Sequence, residues 1–159
     1  MSYSNFSVPR HIVYGENALE KLGTLVGKRA AIVTGGSSMK KHGFLDRAAA
    51  LLQQAGMQTI VIDGVEPNPS VATVQRGAQE MLAFGPDWIV AIGGGSALDA
   101  AKVMWCFYEH PQLSFEDIIT PGSMPGLRTK ARFVAVPSTS GTASEITAFS
   151  VITDTKKHI

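Results

Sequence analysis

The residues that decide the fold are 88–102, which read WIVAIGGGSALDAAK. The first five form a short apolar run typical of a buried strand, and a helical pattern follows the three glycines. Gly93, Gly94 and Gly95 have no Cβ atoms, so backbone N–H groups there can approach an anion closely. A helix that begins at this point would direct its positive N-terminal end at the same place. The stretch therefore predicts a strand, a turn and a helix, and it favours a diphosphate bound at the turn.

The residues after the glycines support this interpretation without completing a common fingerprint. Ser96 offers a hydroxyl and is predicted to cap the helix, with Asp99 three residues later in the capping-box position. The spacing matches neither the G-x-G-x-x-G pattern nor a P-loop lysine. The alternative is a turn that is tight only for packing, in which Asp99 does no more than cap the helix and Lys102 lies on a solvated face.

The same alternation of short apolar runs and helical patterns repeats in both directions along the chain. Helical patterns cover residues 39–55 and begin again after Asn68-Pro69-Ser70, where a cap residue precedes a proline suited to a first turn. Further strands are predicted at 29–34, 59–62 and 133–136, with a candidate fifth strand at 149–153. This order predicts an α/β fold, a Rossmann-like parallel sheet with helices on both faces.

A segment rich in hydroxyl groups follows the strand predicted at 133–136. Residues 138–144 carry five hydroxyls in seven positions, among them Ser138, Thr139 and Thr142. Because the carboxyl ends of parallel strands meet at one edge of a sheet, we expect this segment to lie close to the glycine turn. Hydroxyls donate and accept at short reach, which suits ribose and phosphate. The alternative is an ordinary Ser/Thr loop that caps a short helix.

The first strand of the sheet ends in Gly35-Gly36-Ser37-Ser38. Dinucleotide enzymes that select NAD often place an acidic residue near this point, where it binds the ribose 2′-hydroxyl. Here glycines and serines stand instead, with Lys40 and Lys41 nearby, and this combination can admit and pair with a 2′-phosphate. We therefore expect Gly35, Ser37 and Ser38 to contact NADP in preference to NAD. A plain capped turn is the alternative.

Composition narrows the function classes. Hydrophobic residues make up 45% and charged residues 17% of 159 residues, which is typical of a globular domain. The net charge is +1 with scattered basic residues, so no nucleic-acid partner is expected. The chain has neither a signal-peptide pattern at its start nor an apolar run near 20 residues, so we expect a cytoplasmic protein without a membrane partner. Cys106 lies in an apolar run, and the four histidines lack metal-site spacing, so no metal site is expected within the chain.

Three blocks in this order resemble the iron-containing, or group III, alcohol dehydrogenases, and the resemblance covers nearly the whole chain. The blocks are 63–69 (DGVEPNP), 93–102 (GGGSALDAAK) and 137–147 (PSTSGTASEIT). The last is close to the family pattern P-T-T-x-G-T-x-S-E-x-T, but Ser138 replaces the usual threonine and Ala143 a frequent glycine. Residues 104–111 (MWCFYEHP) look like the alcohol dehydrogenase half of bifunctional aldehyde-alcohol dehydrogenases.

The resemblance implies where a nicotinamide dinucleotide would bind. In the family the glycine turn holds the pyrophosphate, the hydroxyl-rich segment contacts the nucleotide, and further positions flank its two ends. Carried onto this sequence, the pyrophosphate residues are Gly94, Gly95 and Ser96, with Asp99 counted beside them. The nucleotide contacts are Ser138, Thr139 and Thr142, Asn68 lies by the adenosine end, and Phe149 and Val151 lie near the nicotinamide.

The resemblance also implies a larger enzyme. The fold is that of a dehydroquinate synthase-like N-terminal domain, and the family adds an all-helical C-terminal domain that binds Fe²⁺, or Zn²⁺, through one aspartate and three histidines. We expect residues 1–159 to be the dinucleotide-binding domain of such a two-domain protein, with no catalytic or metal-binding residue in this chain. The implied activity is hydride transfer between a small primary alcohol or aldehyde and NADP or NAD, in a homo-oligomer. A nucleotide-binding module without catalysis, or a polyol dehydrogenase of the same superfamily, is the alternative.

Overall fold

The computed structural model describes residues 9–120 and 122–155, and its centre is a four-stranded parallel sheet. The strands are β1 (Arg29–Gly35), β2 (Gln58–Val65), β3 (Trp88–Gly93) and β4 (Arg132–Pro137), in the spatial order β2-β1-β3-β4. All neighbouring pairs are parallel, which confirms the predicted sheet. The candidate fifth strand at 149–153 is wrong. Only an isolated bridge between Thr153 and Ser70 forms there, because that segment meets the start of a helix and no strand edge.

Helices alternate with the strands. They are α1 (Ser38–Lys41), α2 (Phe44–Gln54), α3 (Val71–Phe84), α4 (Gly95–Glu109) and α5 (Phe115–Ile118), preceded by a 3₁₀ helix at Ala18–Thr24. The single helix predicted at 39–55 is divided, because Gly43 takes a φ of +76°, a left-handed conformation that no α-helix continues through. Among the described residues, no helix is long and apolar enough to cross a membrane.

Both faces of the sheet are covered, as the sequence pattern predicts. Successive residues of β1 point to opposite sides: Ala31 and Val33 belong to the core under α3 and α4, whereas Ala30 and Ile32 belong to the core under α2. Each face therefore has its own apolar cluster, and a polar residue in the middle of the central strands β1 and β3 would be buried on either side. This explains why the strands appear in the sequence as nearly continuous apolar runs.

Helix α4 is buried on nearly every side. It packs closely on α3, where a Cβ added at Gly77 would lie 2.4 Å from the Met104 sulfur, so a larger residue would force the Met104 side chain to move. Trp105 stacks on Phe133 of β4 with ring centroids 5.1 Å apart. Cys106 is fully buried, and burial together with the negative charge of Glu109 raises the pKa of its thiol to about 11.

Two carboxylates, one buried and one partly buried, bind loops at the end of the sheet where the parallel strands begin, which we call the amino edge. Glu109, at the end of α4, is buried and accepts hydrogen bonds from the indole N–H of Trp105 and from four consecutive backbone N–H groups at 128–131. Burial opposes its ionisation, but these donors outweigh burial and lower the pKa of Glu109. Asp87 likewise accepts from the backbone N–H groups of Lys28 and Arg29 at 2.7 and 3.1 Å. Both carboxylates fasten loops to strand ends.

The sheet order creates a topological switch point at the opposite, carboxyl edge. From β1 the chain passes to β2 on one side, and from β3 it passes to β4 on the other, so β1 and β3 are central neighbours. The Thr34 hydroxyl donates to Ile92 O at 2.9 Å and links the two strands one residue before each of them ends. Ligands of open α/β sheets bind in the crevice outside such a point. Here that crevice lies between the loops that follow Gly35 and Gly93.

Candidate functional site

The glycine turn presents an uncapped helix N-terminus. Gly94 is the N-cap of α4 in an extended conformation, and its carbonyl accepts from the N–H groups of Ala97 and Leu98 at 3.1 and 3.2 Å. The predicted cap at Ser96 is wrong, because the helix already begins at Gly95 and Ser96 lies in its first turn. No side chain of the described residues caps this helix. The positive end of a 15-residue helix therefore stays available to a ligand.

The hydroxyl-rich segment lies directly against this turn, as the sheet topology predicts. The Ser138 N–H donates to Gly93 O at 2.8 Å, which fixes where the segment leaves β4. A Cβ added at Gly95 would lie 3.0 Å from Thr142 Cγ2, and one added at Gly94 would lie 3.5 Å from Thr139 Oγ1. The absence of side chains at the two glycines thus lets Thr139 and Thr142 approach the turn closely.

An open cleft of about 380 Å³ extends from the turn. Its walls come from four parts of the chain: the loop after β2, the start of α4, the hydroxyl-rich segment and the segment that follows it. Seven of the residues singled out from the sequence line it: Asn68, Gly95, Ser96, Asp99, Thr142, Phe149 and Val151. Of the others, Gly94, Ser138 and Thr139 adjoin the cleft, whereas Gly35, Ser37 and Ser38 lie at the end of β1 outside its walls.

The loop after β2 brings Asn68 into the cleft. Asn68 has a φ of +55°, which asparagine tolerates, and its N–H points at Ser96 Oγ at 3.4 Å. Glu66 holds this turn by accepting from the Ser70 N–H at 2.9 Å and from the Thr73 hydroxyl at 2.7 Å. Burial opposes ionisation of Glu66, but these hydrogen bonds outweigh it and lower its pKa to about 2. Sequence reasoning did not find Glu66, since its partners lie four and seven residues further on.

Asp99 and Lys102 form a pair that the sequence did not predict. Asp99 is buried, and its Oδ2 accepts from the Val151 N–H at 3.0 Å, so it takes no part in a capping box. Its Oδ1 lies 3.0 Å from Lys102 Nζ as an ion pair. Lys102 in turn donates to the carbonyls of Thr147 and Phe149. The three-residue spacing on α4 was the available signal, because it places both side chains on one face.

Gly35, at the end of β1, is required by the packing of the strands. A Cβ at Gly35 would lie 2.6 Å from Val65 O of the neighbouring strand, at a register irregularity between β1 and β2. Only glycine fits there, whatever is bound. Gly36 has a φ of +60° and open space around it, and Ser37 and Ser38 are exposed. The room for a ligand at this loop therefore comes from residues 36–38.

Titratable metal ligands do not cluster in the described part of the chain. Within residues 9–120 and 122–155, no group of three or more histidine, cysteine, aspartate or glutamate side chains is placed to hold a metal ion.

The chain is similar to known proteins in both sequence and structure. The sequence model of the family described as "Iron-containing alcohol dehydrogenase" matches residues 9–159. The chain belongs to this family. Among solved structures, an iron-containing alcohol dehydrogenase from Thermococcus thioreducens superposes with a TM-score of 0.85 at 36% identity, covering 95% of this chain and 41% of that one. A 1,3-propanediol oxidoreductase superposes with a TM-score of 0.83 at 30% identity, covering 99% of this chain and 41% of that one.

Two proteins with similar sequences are named for the reactions they catalyse. An NADPH-dependent butanol dehydrogenase from Clostridium saccharobutylicum is 57% identical over 154 residues, which is 97% of this chain and 40% of that protein. The bifunctional aldehyde-alcohol dehydrogenase AdhE from Escherichia coli is 41% identical, over 86% of this chain and 16% of that protein. The chain therefore spans about two fifths, or less, of the length of the relatives it matches.

Proposed function

We propose that this chain is the cofactor-binding part of an NADPH-dependent alcohol dehydrogenase or aldehyde reductase. The observation that carries the proposal is the uncapped N-terminus of α4, set in a glycine turn and faced by the hydroxyls of Thr139 and Thr142. A diphosphate suits this arrangement, because the glycines leave partly exposed backbone N–H groups without side chains beside them and the helix end supplies positive potential. The names of the similar butanol and aldehyde-alcohol dehydrogenases support the reaction class.

The proposed roles follow the geometry of the cleft. Backbone N–H groups of Gly94 and Gly95, with the Ser96 hydroxyl, bind the diphosphate. Hydroxyls at Ser138, Thr139 and Thr142 contact the diphosphate and its riboses from the opposite side. Asn68 shares the cleft with Phe149 and Val151, so it lies nearer the nicotinamide side than the adenosine end that the resemblance implies. Phe149 and Val151 offer an apolar surface to the nicotinamide.

The preference for NADP over NAD rests on the loop after β1. Gly36 leaves space beside Ser37 and Ser38, whose hydroxyls can donate to a 2′-phosphate, and Lys40 and Lys41 on α1 add positive charge. Gly35 contributes by allowing β1 to approach β2. The 57% identical relative is named as NADPH-dependent, which agrees with this assignment.

When bound, NADPH would supply the hydride that reduces a small aldehyde, and NADP⁺ would accept the hydride when the alcohol is oxidised. A divalent metal, iron or zinc, would polarise the substrate oxygen. We propose that the metal site belongs to a second, helical domain, because the chain spans only about two fifths of its relatives. The residues of this chain bind the cofactor and orient it towards that site. We further propose a homo-oligomeric, cytoplasmic protein.

Calorimetric titration of this chain with NADPH and with NADH tests the cofactor assignment. Saturable binding of NADPH, tighter than that of NADH, is expected. No detectable binding of either nucleotide at millimolar concentration would refute the proposal.

A matched pair of glycine variants then tests where the diphosphate lies. Gly94→Ala fits the protein itself, since its Cβ would meet Thr139 at an ordinary 3.5 Å, but in the proposed complex its methyl group lies beside the diphosphate. We expect it to weaken NADPH binding at least about tenfold, a change of about 1.4 kcal/mol. The control is Gly126→Ala, where a Cβ meets nothing within 4 Å, and it should bind as the unmodified chain does. Equal affinities for the two variants would place the diphosphate elsewhere.

A further inference from the structure

We propose that Asp99 and Lys102 are positioning residues for the nicotinamide half of the cofactor, which they serve by fixing residues 147–151 as one wall of the cleft. The inference rests on the proposed function, and it concerns the nicotinamide end alone. Neither residue is proposed to touch the cofactor.

The wall needs such support. Residues 147–151 form neither helix nor strand, and the side chains of Phe149 and Val151 are 72% and 70% exposed. Three backbone groups of the wall bond to α4 through the pair: Thr147 O and Phe149 O accept from Lys102, and the Val151 N–H donates to Asp99. A segment with little regular structure is thus fastened, at three points, to the most buried helix of the fold.

Lys102 makes its hydrogen bonds within the protein. Its ammonium group donates to the carbonyl and the hydroxyl of Thr147 and to the carbonyl of Phe149, and it forms an ion pair with Asp99 Oδ1, which accepts no hydrogen bond from the described residues. Asp99 lines the cleft, but its Oδ2 is bonded to the Val151 N–H and its Oδ1 faces Lys102. We therefore expect Asp99 and Lys102 to affect cofactor binding only by holding residues 147–151 in position.

Because Asp99 and Lys102 are mostly buried, each charge depends on the other for stabilisation. Asp99 and Lys102 side chains are 10% and 16% exposed, on a helix whose later turns are almost entirely apolar. Removing one partner would leave the other charge poorly solvated, and the wall would lose its anchor at the same time. The glycine turn, by contrast, is held by backbone bonds from Gly93 and Gly94, so it does not depend on the pair.

The test compares NADPH with 2′-phospho-ADP-ribose, which has the same diphosphate and adenosine parts but no nicotinamide. In Lys102→Met we expect the Kd of NADPH to rise about tenfold, the effect of losing one charge-assisted hydrogen-bond anchor, while that of 2′-phospho-ADP-ribose changes less than about twofold. Lys102→Arg keeps a cation and should restore most of the NADPH affinity. Lys28→Met, which removes an exposed ammonium at the opposite edge of the sheet, is the matched control and should change neither Kd.

The outcomes separate the two proposals. If the unmodified chain binds neither compound, the proposed function fails. If it binds both with equal affinity, or if Lys102→Met weakens both equally, cofactor binding stands and the positioning role is overturned.

A second measurement does not depend on the variants folding. In the unmodified chain, the Val151 amide should exchange with solvent more slowly than those of Phe149 and Ser150, because it donates to Asp99. NADPH should slow exchange across 147–151 further, and 2′-phospho-ADP-ribose should not. Equal slowing by both compounds would contradict a wall that serves the nicotinamide.

Discussion

The two edges of the sheet use polar groups in opposite ways. At the amino edge, the Glu109 and Asp87 carboxylates are saturated by backbone N–H groups of the protein itself. At the carboxyl edge, the N-terminus of α4 and the hydroxyls of Thr139 and Thr142 surround an open cleft. Polar groups satisfied from within stabilise the fold, whereas those left facing solvent in a concave place are available to a ligand. The difference predicts that stability and cofactor affinity respond to substitutions at opposite edges.

The largest expected effect is on stability, at Glu109. Glu109→Gln keeps one oxygen for the four donors at Oε1, but it removes the negative charge and sets an amide NH₂ against the Thr129 N–H, which loses its acceptor. We expect the free energy of unfolding to fall by about 3 kcal/mol, measured by urea denaturation. The folded variant should keep its NADPH affinity.

The control for Glu109 is Glu16→Gln, which alters an exposed carboxylate and should cost less than about 0.5 kcal/mol. Equal stability of the two variants would contradict the stabilising role given to the amino edge, since it would mean that the hydrogen bonds of Glu109 contribute nothing measurable to the free energy of unfolding.

The next effect is on affinity, at Gly36. Its φ of +60° tolerates aspartate or asparagine, and a Cβ there meets nothing within 4 Å, so both variants should fold. Gly36→Asp should bind NADPH about tenfold more weakly than Gly36→Asn, because the carboxylate repels the 2′-phosphate. The two variants should bind NADH alike. An equal loss for both nucleotides would place the 2′-phosphate away from this loop.

The smallest effect is on the pH dependence of stability, at Glu66. Its pKa of about 2 in the folded protein lies below the ordinary 4.5, so it stabilises the fold above pH 4.5 and loses that contribution as the pH falls towards 2. Glu66→Gln should be less stable than the unmodified chain by about 1 kcal/mol at pH 6, with a smaller difference at pH 3, measured by urea denaturation. A difference that does not shrink with acid would show that packing, and not charge, matters at this carboxylate.

Much of the fold was predictable because it depends on local patterns. The four strands of the sheet lie within a residue or two of the predicted runs, except that β2 continues to Val65, three residues further than expected. The break between α1 and α2 was missed, since a glycine with positive φ looks the same in the sequence as one inside a helix. The predicted strand at 149–153 failed because its apolar residues face a cleft instead of a neighbouring strand.

The candidate site divides in the same way. Glycines before a helix and hydroxyls after a strand are recognisable without coordinates, since chain chemistry alone limits what they can do. The partners of Asp99, Glu66 and Glu109 were not recognisable, because each carboxylate binds backbone groups whose sequence gives no sign of the contact.

The sequence by itself determined the α/β order, the glycine turn and the family to which the chain belongs, because these depend on residue type and spacing. Only the tertiary structure decided that Gly35 serves strand packing, that Ser96 lies inside α4, and that Asp99 and Lys102 hold the wall at 147–151. Those roles depend on which distant backbone groups come within hydrogen-bonding distance, and a backbone N–H or C=O is the same in nearly every residue.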